Sequence, residues 1–518
     1  MKVALAQVQF RLGDFNNNYR ELLSALEKTK GKADILVFPE GGLWGYPPQD
    51  FLYQKEFFKT QEKKIKQLFK HLPSSLTLDI PGFNMEYEQL KNGVFLIEKN
   101  KKARFFAKEF LPDQSVFFES RYFQKGKAAE NFFYWKNKKI QVLVCEDFWK
   151  FSQLKKTDFL IVVNASPYTT EKQKTRLKRL KELAKKTKCG AVYLNLVGAQ
   201  DSLIFDGASF VLNEKAEKVW QGKSFEPDFA ILDFPLKKKS PLAKKSLNVI
   251  EQKEQALILG VKEFFYQTGF SKACLGLSGG IDSALVAYLA IKALGKQNLK
   301  AYFLPSPYTE KVSFKIVKSL SKNLDLTVHQ KDITKLLRFC LNDFFKGSLS
   351  GLTQQNLQAR LRMLFLMAQA NETASLLLST GNKSELAMGY CTLYGDLAGA
   401  LCPIADLLKT EVYDMARFIN RKNHIFPKAL FLREPSAELA YKQKDSDELP
   451  PYSDLDGFLK KFLKDKNAGK GIESELSQKI QTQEFKRKQA PLLLKLTERD
   501  FGEAWRKPVA HRFYPGPV

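Results

Sequence analysis

Leu277-Ser278-Gly279-Gly280-Ile281-Asp282-Ser283 separates an apolar run at residues 273–277 from an apolar, helix-like stretch at 284–294. That order predicts a buried strand ending in a tight turn that feeds directly into a helix. Two glycines let the backbone pass close to a bound anion, and the helix start aims free N–H groups and its positive dipole end at the same place. Ser278 and Ser283 add hydroxyl donors. Asp282 has the wrong charge to grip phosphate and is better explained as a ligand for the magnesium that accompanies ATP. An ordinary strand-to-helix turn capped by Ser and Asp is the plainer reading of a Gly-Gly pair standing alone.

Working outward, residues 250–265 are apolar at helical spacing, and after the turn come a strand-like run at 300–304 and a further helix and strand across 312–328. This alternation predicts a doubly wound parallel sheet, whose ligands sit at the carboxyl ends of the strands, where the turn lies. Upstream the texture differs. Short β-rich runs at 35–38, 140–144, 159–163, 191–196 and 208–212 end in polar or Gly/Pro turns, with helical patterns such as Leu177, Leu180 and Leu183 between some of them. These features predict a separate layered α/β domain. Residues 234–241 hold two prolines and three lysines and read as the linker. The expected division is therefore 1–236 and 246–518. The polar stretch 442–451 reads as a mobile lid.

A chain of 518 residues exceeds one ordinary core, and 44% hydrophobic with 13% aromatic content suits packed globular domains. No apolar run approaches the roughly eighteen residues of a membrane span. The N-terminus alternates like a strand and lacks a signal peptide's apolar core, so a cytoplasmic protein is expected. Six scattered cysteines without CxxC pairing and only four histidines argue against zinc and against a disulfide scaffold. The formal charge of +27 would suit nucleic acid, but the lysines are spread over nearly every helical stretch among Asp and Glu. A generally lysine-rich surface is preferred, with nucleic-acid and membrane partners not expected.

A second cluster runs from Leu376-Leu377-Leu378-Ser379-Thr380-Gly381 through Glu385, Thr392 and Asp396 to Lys409. An apolar strand again ends in a hydroxyl-glycine turn, so Thr380 is another phosphate or nucleotide contact. Glu385 and Asp396 supply carboxylates for magnesium or an attacking amine, and Lys409 a fixed cation for phosphates. Taken singly, Lys409 and Glu385 are more often solvated helix charges. The 277–283 turn resembles the loop of ATP enzymes that release AMP and pyrophosphate, and it differs from a Walker loop because no Gly-Lys-Ser/Thr closes it. With Asn356-Leu357-Gln358-Ala359-Arg360, Pro435-Ser436-Ala437-Glu438 and Leu449-Pro450-Pro451-Tyr452, the chain resembles the glutamine-dependent NAD synthetase family over almost its full length. Gln355 stands where that family usually has Glu.

The resemblance implies that ATP adenylates the nicotinate carboxylate of deamido-NAD, pyrophosphate leaves, and ammonia displaces AMP. It implies Asn356, Arg360, Glu385 and Asp396 at the dinucleotide, Asp282 and Glu385 at magnesium, and Ser278, Gly279, Gly280, Asp282, Ser283, Thr380 and Lys409 at ATP. Subunit association is also implied.

The first half offers an ammonia source. Val37-Phe38-Pro39-Glu40, Ala107-Lys108-Glu109-Phe110 and Leu143-Val144-Cys145-Glu146-Asp147 resemble the three signature segments of nitrilase-type amidases, which implies an αββα fold and catalysis by Glu40, Lys108 and Cys145. Cys145 alone would read as a buried core thiol. Glu40 is expected to take the thiol proton as sulfur attacks the glutamine amide, and Lys108 to stabilise the oxyanion and bias Cys145 toward thiolate. Glu119 matches a further family carboxylate that holds Lys108 or assists proton transfer. Gln114 stands where the family usually has Tyr and Ser202 where Glu is usual, both on the substrate side. Rival readings are another ATP-pyrophosphatase amidotransferase or tRNA-modifying enzyme, and a nucleic-acid-binding protein with inactive enzyme domains.

Overall fold

The computed structural model describes residues 1–73, 76–86, 89–114, 116–152, 154, 156–235, 247–347, 349–464 and 472–503. The chain divides into two compact units, Met1–Asn248 and Val249–Val518. The expected domain boundary, and most of the expected linker, lie outside the described residues.

The first unit is built on two six-stranded sheets. One contains β1 (Lys2–Gln7), β2 (Ile35–Val37), β3 (Thr77–Glu86), β4 (Gln89–Glu98) and β5 (Arg104–Ala107). The other contains β6 (Phe132–Trp135), β7 (Lys138–Val144), β8 (Phe159–Asn164) and β9 (Gly190–Asn195). Beyond the hairpin β10 (Val197–Gln200) and β11 (Leu203–Asp206), β12 (Phe210–Leu212) and β13 (Lys218–Gln221) extend the second sheet, and β14 (Asp228–Asp233) returns to the first. The orders are β14-β1-β2-β3-β4-β5 and β13-β12-β9-β8-β7-β6. Runs of two neighbouring strand pairs are parallel in each, β1-β2-β3 and β7-β8-β9.

Strand alternation explains the layering, because successive side chains point to opposite faces. Val3 and Leu5 join Val142, Val144, Ile161 and Val163 in the core between the sheets. Ala4 and Ala6 face the other way and pack with Leu22 and Leu26 of α1 (Phe15–Thr29) and Leu68 of α2 (Lys55–His71). On the second sheet Leu160 and Val162 pack with Leu180 and Leu183 of α4 (Lys172–Thr187), the helix after the short α3 (Glu146–Lys150). Both sheets are buried on both faces, which gives the near-continuous apolar runs seen in sequence. The result is the expected αββα sandwich.

The second unit carries an all-parallel sheet of β15 (Ala273–Gly276), β16 (Leu299–Phe303), β17 (Val328–Gln330), β18 (Leu376–Leu378), β19 (Leu401–Cys402) and β20 (Leu492–Leu493), ordered β17-β16-β15-β18-β19-β20. The chain builds outward from β15 on one side and then resumes on the other at β18. Such a reversal opens a crevice at the strand ends, as in doubly wound nucleotide-binding folds. α5 (Val249–Thr268) precedes β15, and α6 (Ile281–Leu294) follows it. Nine of the fourteen α6 residues are buried, consistent with its unbroken apolar sequence. α7 (Lys311–Asn323), α8 (Thr334–Phe339), α9 (Gly351–Glu372), α10 (Lys383–Met388) and α11 (Lys409–Asn423) complete the frame around the crevice. Among the described residues no helix is long and apolar enough to cross a membrane.

Candidate active sites

In the first unit, loops leaving the carboxyl ends of β2, β5 and β7 deliver Glu40, Lys108 and Cys145. Lys108 is fully buried, and its ammonium donates to Glu40 Oε1 at 3.1 Å and to Glu119 Oε1 at 2.8 Å. Burial by itself would discharge the lysine, but the Glu119 and Glu40 carboxylates outweigh it and raise the pKa well above the ordinary value. Glu40 Oε2 accepts from the Ala165 amide at 3.0 Å, just past β8. Glu119 also accepts from the Tyr46 hydroxyl at 2.5 Å. Burial, set against Lys108 and reinforced by Glu40, raises the Glu119 pKa.

Cys145 stands at the junction of β7 and α3 with φ 45° and ψ −96°, a strained positive-φ conformation for a non-glycine residue. Its amide remains in the sheet pattern, donating to Val163 O at 2.8 Å, so the following residues must turn sharply. Burial, then Glu40, push the thiol pKa well above the ordinary value, and Lys108 only partly opposes them. Burial therefore works against the expected bias toward thiolate. Asp147, on α3, ties this turn to the lysine loop by accepting from the Glu109 amide at 3.0 Å and the Phe110 amide at 2.9 Å.

Of the two unusual substrate-side residues, Gln114 is exposed in the turn before Glu119. Ser202 is buried at the β10–β11 turn, and its hydroxyl has no hydrogen-bond partner among the described residues.

In the second unit a cavity of 460 Å³, well within the range of a small-ligand site, is lined by the 277–283 turn, Thr380, Asn356, Glu385, Asp396 and Lys409. Gly279 has φ 88°, and a Cβ there would lie 3.2 Å from the Ser313 carbonyl oxygen. The turn is organised by its own serines: the Ser278 and Ser283 hydroxyls are 3.1 Å apart, and Ser278 Oγ accepts from the Gly280 amide at 3.2 Å. Residues 281–283 at the start of α6 line the cavity, and the turn contains no lysine.

Lys409 opens α11 and is buried, donating to Asp282 at 2.5 Å and Glu385 at 2.9 Å. The two carboxylates overcome the burial penalty and raise its pKa. Burial, opposed by Lys409, pushes Glu385 up to about 7. Asn382 sets the register of the pair: its side chain accepts from the Glu385 amide at 3.0 Å in a capping box and donates to Asp282 Oδ1 at 3.0 Å. Among the described residues no three His, Cys, Asp or Glu side chains are grouped to hold a metal. Two oxygen donors fit magnesium that arrives with substrate phosphates and keeps several waters, since that ion dehydrates reluctantly.

Asn356 Oδ1 accepts from the Thr392 hydroxyl at 2.8 Å, and Asp396 accepts from the Thr392 amide at 2.8 Å, so these residues share one wall. Arg360 is not among the lining residues; it is exposed and donates to Leu393 O at 3.1 Å, whereas Arg362 lines the cavity. The expected lid is ordered by Asp445, whose amide donates to Pro435 O at 3.0 Å and whose carboxylate accepts from Tyr452 at 2.9 Å. Asp445, Gln443 and Glu448 line the cavity. Asn92, Asp147, Asn382 and Asp445 escaped the sequence reading. Only an acceptable local signal for Asn382 existed, Asn followed three residues later by Glu at a helix start.

Comparison with known proteins gives a family for each half of the chain. A carbon-nitrogen hydrolase family model matches residues 2–242, and an NAD synthase model matches residues 254–490. The chain is 39% identical to the glutamine-dependent NAD(+) synthetase of Synechocystis sp., covering 99% of each chain. It is 35% identical to that of Aquifex aeolicus, covering 99% of this chain and 100% of the relative. The solved structure of the Acinetobacter baumannii glutamine-dependent NAD+ synthetase in complex with ADP superposes with a TM-score of 0.79 at 32% identity over 98% of both chains. Likeness on this scale, carried through an amidase unit and a synthetase unit in the same order, makes the chain a member of the glutamine-dependent NAD(+) synthetase family, which are ligases.

Proposed function

We propose that residues 1–236 release ammonia from glutamine and that residues 246–518 use it to convert deamido-NAD into NAD with ATP. The observation that carries the first half is the buried Glu40–Lys108–Glu119 cluster beside a thiol on a strained turn. Cys145 sulfur attacks the side-chain amide carbon of glutamine while Glu40 takes the thiol proton. Lys108 stabilises the oxyanion, and Glu40 returns the proton to the leaving ammonia. Water then hydrolyses the thioester, giving glutamate and restoring the thiol. Glu119 keeps Lys108 charged and fixed between two carboxylates.

In the second unit the nicotinate carboxylate of deamido-NAD attacks the α-phosphate of ATP, pyrophosphate leaves, and ammonia displaces AMP from the acyl carbon. The Ser278–Ser283 backbone, both serine hydroxyls and Thr380 bind the phosphates, with Lys409 as the fixed cation. Asp282 and Glu385 would hold magnesium, which when bound supplies charge neutralisation at the pyrophosphate. Asn356 positions the dinucleotide, and Asp396 orients ammonia or accepts its proton. Arg360 faces out from the same helix and would reach a dinucleotide shared with a second copy. Leu352, Leu364 and Met367 of α9, with Leu336 and Phe339 of α8, are exposed and suit burial in such a homo-oligomer. A cytoplasmic setting accords with these substrates.

The test is incubation of the chain with ATP, magnesium, glutamine and deamido-NAD. NAD, AMP, pyrophosphate and glutamate are expected in equal amounts. ATP consumption that yields ADP, or no NAD, would overturn the reading.

A further inference from the structure

We infer that Asn92 is a positioning residue of the amidase site, whose one carboxamide holds the Glu40 and Glu119 carboxylates in place while its backbone holds the lysine loop. The inference rests on the amidase reading above.

Asn92 sits in β4 and is only 2% exposed. Its Nδ2 donates to Glu40 Oε1 at 2.9 Å and reaches Glu119 Oε1 at 3.5 Å. Its carbonyl accepts from the Lys108 amide at 2.8 Å. One residue therefore touches both carboxylates through its side chain and the backbone of the Lys108 loop through its own.

The electrostatics explain why a neutral donor belongs here. Glu40 and Glu119 share a single cation, Lys108, whose ammonium contacts Oε1 of both. Also facing the cluster are the Cys145 thiol and the Tyr46 hydroxyl, and neither supplies positive charge. Two carboxylates this close repel one another, and a displaced Glu40 would be poorly placed to take the Cys145 proton. The Asn92 carboxamide donates to an oxygen of each and so opposes that displacement without adding charge. With Lys108 and Asn92 on Oε1 and the Ala165 amide on Oε2, Glu40 is held from both sides. An aspartate at position 92 would add a third carboxylate, and an alanine would leave Glu40 Oε1 with one donor fewer.

The test uses the full-length chain with Asn92→Ala, Asn92→Asp and, in parallel, Cys145→Ala. Three measurements are taken: glutaminase kcat and KM against pH, the rate of Cys145 alkylation by iodoacetamide, and ammonia-driven NAD formation as the check on folding. Asn92→Ala is expected to lower kcat roughly ten- to a hundredfold with KM changed less than about threefold, as for loss of a charge-assisted hydrogen bond. Asn92→Asp keeps the shape, and its loss should deepen by roughly tenfold between about pH 6 and pH 8 as the new carboxyl ionises beside Glu40 and Glu119. Alkylation should slow in the same order. If both variants stay within about threefold of the parent in kcat and alkylation at every pH, the positioning role is wrong. A deficit in Asn92→Asp that is flat with pH points to packing alone and equally overturns it. Cys145→Ala that still makes NAD from glutamine would instead overturn the amidase reading itself.

Discussion

Asp147 lies two residues past Cys145, fully buried, and its carboxyl joins the Cys145 turn to the Lys108 loop. Burial pushes it up to about 7, and the backbone amides of Phe110 and Glu109 together with the Lys108 charge only partly offset that. The native state thus retains a proton that the unfolded chain has already lost. That contribution to stability is complete below the unfolded value, near pH 4, and is lost as pH rises through about 7. Asp147→Asn mimics the protonated carboxyl and should gain stability relative to the parent as pH climbs through this window. Urea melts at several pH values check this, and parallel curves for the two proteins would contradict it. Ser202 poses a different question, since its hydroxyl is buried and unpartnered. Ser202→Ala should change stability by less than about 1 kcal/mol while raising the glutamine KM roughly three- to thirtyfold, because a buried polar atom that bonds nothing in the free protein is available to the substrate. An unchanged KM would show that glutamine is satisfied elsewhere.

At the scale of elements, both sites are made where a strand ends. β2, β5 and β7 end shortly before Glu40, Lys108 and Cys145, while β15 and β18 end shortly before the Ser278 and Thr380 turns. The β15–α6 junction depends on Gly279, where a positive φ coincides with close approach to the Ser313 backbone. An added methyl group meets backbone that has little freedom to retreat. Gly279→Ala should therefore cost about 1–2 kcal/mol locally and lower ATP-dependent pyrophosphate release at least tenfold, with glutamine hydrolysis intact. Pyrophosphate assays with ammonia as nitrogen donor measure this, and normal release would mean the turn does not grip phosphate.

At the scale of the whole molecule, the candidate reactive groups of each unit lie on that unit's own elements. Cys145→Ala should abolish NAD formation from glutamine and leave formation from ammonia within about threefold of the parent, because the thiol takes no part in adenylation. Equal loss with both nitrogen sources in a folded protein would rule out the division of labour. Two layered α/β units also explain how 518 residues bury so many apolar side chains while the surface stays lysine-rich at a formal charge of +27.

Periodicity and turn chemistry are local, so the sequence alone determined most elements of the frame. The run at 159–163 is β8, that at 140–144 ends β7, and the apolar stretch at 284–294 is α6, each within a few residues of expectation. Glu40, Lys108 and Cys145 were legible because they stand in short segments with recognisable neighbours. The partners of these groups were not legible, because they arrive from strands far away in sequence. Asn92 lies inside β4, where the adjacent Gly93 lets β5 approach and Asn92 meets a carboxylate 52 residues earlier. Lys409 likewise reads as a solvated helix charge until the sheet brings it between Asp282, 127 residues before it, and Glu385. Only tertiary structure could decide which charges neutralise one another, since burial removes water as the alternative partner and leaves whatever the fold has placed within reach.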